Sequence, residues 1–140
     1  MELKIEKMPA RRAGYYPGGK FMKILIIEDN ALMRYTIKSL LLKLGHEVVG
    51  EAGDSESAIK AYAELKPEMV FLDLVLPGKS GVEIFEEIRA YDPKARVVIV
   101  TAVEQEEIDR SLSNKGVIAI IRKPFSYDEF KETVNRVTQQ

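Results

Sequence analysis

The chain has 140 residues, of which 46% are hydrophobic, enough for one compact domain with a real core and too few for a comfortable second one. A formal net charge of −1 gives no bulk attraction to nucleic acid or to an acidic membrane surface, and the absence of cysteine excludes disulfides and thiolate metal sites. The apolar runs fall far short of the roughly 18 residues that suggest a membrane span, and no segment has the layout of a secretory signal.

Residues 1–21 differ in character from the rest. Lys4, Lys7, Arg11, Arg12 and Lys20 face only Glu2 and Glu6, and Pro9, Gly14, Pro17, Gly18 and Gly19 break any periodicity. The stretch reads as a flexible, mildly basic extension or tag, with the folded domain over 22–140. Lys23–Ile27 is a short apolar run with strand character, and a helix is expected from near Asn30, with Met33, Ile37, Leu40, Leu41 and Leu44 on one face. His46 follows Gly45 at the next turn and reads as solvated. Glu47–Gly50 is the most polar-flanked strand and is expected at an edge. Ala58, Tyr62 and Leu65 fall on one face of a second helix, ended by Pro67.

Met69–Leu72, Arg96–Val100 and Val117–Ile121 are nearly continuous apolar runs, as expected of parallel strands covered on both faces. Ser80 with Glu83 resembles a capping box opening a helix that carries Phe85 and Ile88; Ser126 with Glu129 repeats the device before Phe130, Val134 and Val137. The helix between, roughly 104–114, offers only Ile108 and Leu112 as anchors and is expected to be the most loosely held. Glu86, Glu87, Glu104, Glu106 and Glu107 read as solvated helix faces. Five strands each followed by a helix give a (βα)₅ three-layer sandwich, with right-handed crossovers and a parallel sheet of order 2-1-3-4-5.

Five polar residues lie just beyond the carboxyl ends of the apolar runs: Glu28 and Asp29 after the first, Asp73 after the third, Thr101 after the fourth and Lys123 after the fifth. In an open parallel sheet these ends share one edge, where ligands bind at the switch in strand order. Any one of them has a bland explanation, since Lys123 alone could neutralise an acidic pocket and Thr101 alone could cap a helix. Three acids, a hydroxyl and a lysine at four separate ends are poorly explained that way.

The three carboxylates and one ammonium sum to about −2 and repel one another unless a cation joins them. Mg²⁺ is the natural counter-ion, being hard and oxygen-seeking, with Mn²⁺ as a substitute. Asp29 and Asp73 are the expected direct ligands, Glu28 a ligand direct or through water, and the Val75 carbonyl a further oxygen. Asp73 is the candidate nucleophile for an acyl phosphate, with Lys123 and Thr101 receiving the phosphoryl oxygens.

From Met22 to about Thr138 these features resemble the receiver domains of two-component response regulators. The resemblance rests on the acidic pair in IIEDN, the acceptor in VFLDLVLPGKSG, Thr101–Ala102 in VTA and Lys123–Phe125 in KPF. It implies a flavodoxin-like fold and an Mg²⁺-dependent phosphorylation switch in the cytoplasm, an acceptor rather than a turnover enzyme, which catalyses only its own phosphoryl transfer and dephosphorylation. It further implies transfer from a sensor histidine kinase or phosphotransfer protein to Asp73, and a cis peptide between Lys123 and Pro124. Gly81 matches the family glycine after the acceptor, and Ala102 the small residue after the threonine. The output surface it implies is the helix 4–strand 5–helix 5 face, toward a downstream protein, as a monomer or a phosphorylation-dependent dimer, with no nucleic acid or membrane bound directly. The sequence stops just after the last helix, so a stand-alone regulator or an excised receiver is expected.

One departure is visible. Where the family often has an aromatic residue three positions before the lysine, this chain has Ile120. Two positions beyond Asp73 and Thr101 stand Val75 and Val103, which in similar domains border the path of attacking water. Arg122, next to Lys123, reads as pointing to solvent. A haloacid-dehalogenase-like phosphatase would need a second aspartate where Val75 stands. A flavin-binding protein would need a hydroxyl- and glycine-rich loop where Glu28-Asp29-Asn30 stands. A pseudo-receiver acting only as an interaction module keeps the fold without the chemistry.

Overall fold

The computed structural model describes residues 15–16 and 19–139. Most of the extension read as flexible therefore lies outside the described residues. Tyr15–Tyr16 and Gly19–Lys20 pair as two short antiparallel strands. Five parallel strands form the sheet: β1 (Lys23–Ile27), β2 (Glu47–Ala52), β3 (Met69–Leu72), β4 (Val97–Thr101) and β5 (Ala119–Arg122). Their spatial order is 2-1-3-4-5, the flavodoxin-like arrangement expected. The helices between and after them are α1 (Ala31–Lys43), α2 (Ser55–Leu65), α3 (Gly81–Tyr91), α4 (Glu106–Asn114) and α5 (Tyr127–Thr138).

Period-two alternation along the strands divides the core into two layers. Leu25, Ile27, Val70, Leu72, Val97 and Ile99 face Ala58, Tyr62, Ile84, Phe85, Ile88 and Leu112 of α2, α3 and α4. Ile24, Ile26, Met69, Phe71, Val98, Val100 and Ile121 face Ile37 and Leu41 of α1 and Phe130, Val134 and Val137 of α5. Each fully buried side chain of this kind stabilises the fold by about 1.5–3 kcal/mol. Central strands buried on both faces explain why their sequences show no polar alternation.

The helix starts follow from local chemistry. Asn30 accepts from the Met33 N–H and Asp54 from the Ser57 N–H, both at 2.8 Å. Ser80 with Glu83 and Ser126 with Glu129 form complete capping boxes. α4 starts at Gln105 without a side-chain cap, and Leu112 is its buried residue, in keeping with a helix held by few anchors.

Leu65 ends α2 on the same side as Ala58 and Tyr62, its Cδ1 close to Gly50 of β2, and is 42% exposed. The reading of His46 needs correction. His46 is not solvated but only 1% exposed. The turn through Gly45, at φ 98°, aims the chain inward, with the His46 N–H on the Leu41 carbonyl. The ring accepts the Met22 N–H on Nδ1 at 3.1 Å. Burial pushes its pKa down to about 4, so it is neutral in the folded protein.

Candidate functional site

The register of the sheet brings the ends of β1, β3, β4 and β5 to one edge. Ile27 pairs with Leu72, Leu72 with Ile99, and Thr101 with Arg122, so the residues that follow these strand ends emerge side by side. Glu28 is 2% exposed and Asp73 6% exposed, while Asp29 is open to solvent. One carboxylate oxygen from each of the three lies within 4.8 Å of the others. Lys123 reaches between the two buried acids, with its ammonium 2.8 Å from Glu28 Oε1 and 3.0 Å from Asp73 Oδ2. The Lys123–Pro124 peptide is cis.

Each charged group has its own support. The second oxygen of Glu28 accepts the Asn30 N–H at 3.1 Å, and Asp73 Oδ1 accepts the Val75 N–H at 3.2 Å. Burial raises the Glu28 pKa and the adjacent Asp73 carboxylate adds to this, against the lowering effects of Lys123 and the Asn30 N–H. Burial works against the Lys123 ammonium, but the pairs with Glu28 and Asp73 outweigh it and hold the amine above its ordinary pKa. The lysine is therefore firmly cationic, and Asp29 stands outside this ion pair as an exposed hard oxygen donor.

Backbone shape fixes Asp73. A Cβ at Gly81 would lie 2.3 Å from the Asp73 carbonyl oxygen and 2.4 Å from Leu74 Cα. The first residue of α3 can approach the Asp73 backbone only as glycine. The Gly81 N–H donates to the Leu74 carbonyl at 2.8 Å, closing the loop after β3.

Thr101 is fully buried, and its Oγ1 accepts the Val103 N–H at 3.2 Å. The structure thus gathers Glu28, Asp29, Asp73 and Lys123 directly, with Thr101 at the neighbouring strand end engaged with its own loop. Val75 is 60% exposed at the mouth, Val103 is partly buried against the core, and Ile120 packs in the same layer.

Arg122 does not point to solvent. Its guanidinium donates to the Val103 carbonyl and to the Asp109 carboxylate of α4. The alternation along β5 put it on the same face as Ile120, and that was the available signal. Sequence reasoning also passed over Arg34, which donates to the Glu28 carbonyl at 2.6 Å and pairs with Glu51 at 3.2 Å. Its place on the first turns of a helix that begins at the acidic pair was the clue.

The family model described as the response regulator receiver domain matches residues 24–135. The chain belongs to this family. The receiver is 33% identical over 117 residues to the chemotaxis protein CheY of Thermotoga maritima, covering 84% of this chain and 98% of that protein. It is 35% identical over 114 residues to CheY of Bacillus subtilis, covering 81% and 95%. Among solved structures it is similar to a LuxR-family two-component response regulator from Aurantimonas, at 27% identity and TM-score 0.79, covering 85% and 86%. Receivers carry an acidic pocket for Mg²⁺, and the triad of hard oxygen donors in this one fits that ion. Among the described residues, no helix is long and apolar enough to cross a membrane.

Proposed function

We propose that Asp73 accepts a phosphoryl group from a sensor histidine kinase or phosphotransfer protein in a Mg²⁺-dependent reaction, and that the signal leaves through the surface of α4, β5 and α5. The domain is taken as 22–140, with 1–21 an extension, acting in the cytoplasm on a downstream protein. The observation that carries this reading is the Lys123 ammonium held between buried Glu28 and Asp73, beside the exposed carboxylate of Asp29.

An Asp73 carboxylate oxygen attacks phosphorus in line with the P–N bond of the phosphohistidine. An O–P bond forms, the P–N bond breaks, and its electron pair returns to the imidazole. Lys123 turns from Asp73 to a phosphoryl oxygen, and Thr101 gives up the Val103 N–H to donate its hydroxyl to another. Glu28, Asp29, Asp73 and the Val75 carbonyl would hold Mg²⁺ or Mn²⁺, which when bound offsets the negative charge on the phosphoryl oxygens. Water later hydrolyses the acyl phosphate, so the chain resets itself without being a turnover enzyme.

Incubation of the full chain with Mg²⁺ and acetyl phosphate, followed by intact-mass measurement, tests this. One phosphoryl group is expected on the wild type and none on Asp73→Asn or in the presence of a chelator. No addition to the wild type would leave a pseudo-receiver used for protein contact, and equal addition to Asp73→Asn would move the acceptor elsewhere.

A further inference from the structure

We propose that Arg122 is the positioning residue that reports the state of the Asp73 site to α4, acting as a latch on the N-terminal end of that helix. This rests on the reading of Asp73 as a phosphoryl acceptor.

The connection runs through one residue. Val103 gives its N–H to Thr101 Oγ1 and its carbonyl to the Arg122 guanidinium. Thr101 and Arg122 are register partners at the ends of β4 and β5, and the Lys123 N–H binds the Thr101 carbonyl at 2.9 Å. A Thr101 hydroxyl that turns toward a phosphoryl group abandons the Val103 N–H. Restoring a partner to that N–H requires the 102–105 loop to move, which takes the Val103 carbonyl away from Arg122. Ile120 offers no ring and no hydrogen bond for such a relay. Arg122 lies two residues on, on the same face of β5, and bonds both the Val103 carbonyl and the Asp109 carboxylate.

The two ends of α4 are held differently. The C-terminal end is clamped from α3: Arg89 donates to the Lys115 and Gly116 carbonyls at 3.0 and 2.8 Å and to the Ala95 carbonyl at 2.8 Å, and Leu112 is fully buried nearby. At the N-terminal end α1, α2, α3 and α5 all have side-chain caps, whereas α4 has none. Its polar fastening is the pair between Asp109 and Arg122, beside Ile108, which is partly buried against the core. That pair is incomplete, since Asp109 Oδ1 is buried without a hydrogen-bond partner among the described residues. A carboxylate oxygen left in this way favours opening. Loss of the Arg122 contacts would swing the first turns of α4 about the Arg89-clamped end and leave the last turn in place.

Amide hydrogen exchange on the full chain, with intact mass recorded on every sample, tests the latch. Without phosphate, Arg122→Ala is expected to exchange about tenfold faster than wild type over 103–109, with 112–117 unchanged, the size expected for losing charge-assisted hydrogen bonds. Asp109→Asn, which keeps the side-chain shape, should give the same local change if Arg122→Ala folds poorly. Phosphorylation of the wild type should raise exchange over 103–109 to the level of the variants and add little to either of them. Unphosphorylated variants that exchange like wild type over 103–109, or loosening spread equally over 103–117, overturn the latch. Phosphate taken up by wild type with 103–109 unchanged overturns the reporting role alone. A wild type that takes up no phosphate overturns the reading of Asp73, and the reporting role with it.

Discussion

Lys123 and Asp73 are 50 positions apart in the chain, yet the Lys123 ammonium stands 3.0 Å from Asp73 Oδ2. The same ammonium touches Glu28, so one cation separates two buried carboxylates. Lys123→Met removes that cation while keeping much of the stem. The site then carries an additional net negative charge, and Mg²⁺ should bind on the order of tenfold tighter or more, since charges a few ångströms apart near a protein surface interact by about 4 kcal/mol. Phosphoryl uptake should nevertheless fall steeply, because the phosphoryl oxygens lose their fixed cation. Calorimetric Mg²⁺ titration and intact mass read the two effects separately. Weaker Mg²⁺ binding would show that Lys123 supports the acids rather than competing for them.

Gly81→Ala should destabilise the domain by about 1–3 kcal/mol, the ordinary cost of overpacking where nothing can yield. The added Cβ meets backbone atoms of Asp73 and Leu74. Gly50→Ala makes an equally short contact of 2.4 Å, but with the end of the Leu65 side chain, which is partly exposed and free to turn. It should cost less than about 1 kcal/mol. Chemical denaturation gives both values, and phosphoryl uptake should suffer only in Gly81→Ala. Equal losses would mean that the loop after β3 relaxes around the methyl group.

The strand ends were legible because each apolar run stops at a polar residue, and the edge they share follows from parallel topology alone. Both capping boxes were legible for the same local reason. Features that depend on how a turn aims the chain were not. His46 looked solvated because it follows a glycine, and only the inward turn through Gly45 places its ring against Met22. Arg122 looked like a surface charge because an arginine on an edge strand usually is one. Its partners, the Val103 carbonyl on the loop after β4 and the Asp109 carboxylate on α4, are 19 and 13 positions away in the chain.

His46 should make stability depend on pH in a specific window. Its folded pKa, about 4, lies below the ordinary 6.5, so the unfolded chain takes up a proton before the folded one does. The contribution of the neutral ring is fully present above the ordinary value, falls as pH drops below 6.5, and levels off below about 4. Between about pH 7.5 and pH 5 the loss should be about 2 kcal/mol. His46→Asn keeps an acceptor for the Met22 N–H and cannot titrate. Denaturation of both proteins across this range should show wild type losing stability relative to the variant as pH falls. Parallel curves would remove His46 as the cause.

Val75 bears on how long the phosphoryl group would last. It is 60% exposed at the mouth of the site, and its N–H holds Asp73 Oδ1. An apolar side chain there offers an attacking water no hydrogen bond, whereas Asn at the same position would orient one beside the acyl phosphate. Val75→Asn leaves the backbone N–H and its bond to Asp73 in place, and an exposed change of this kind should alter stability by less than about 0.5 kcal/mol. Its phosphoryl group should decay several-fold faster, within the roughly 100-fold or greater range open to positioned acid–base groups. The measurement is acid-labile phosphate retained over time after removal of the donor, in wild type and variant. Identical decay would show that water reaches the phosphorus by a path Val75 does not border, and would turn attention to Val103, whose partly buried side chain lies two residues beyond Thr101.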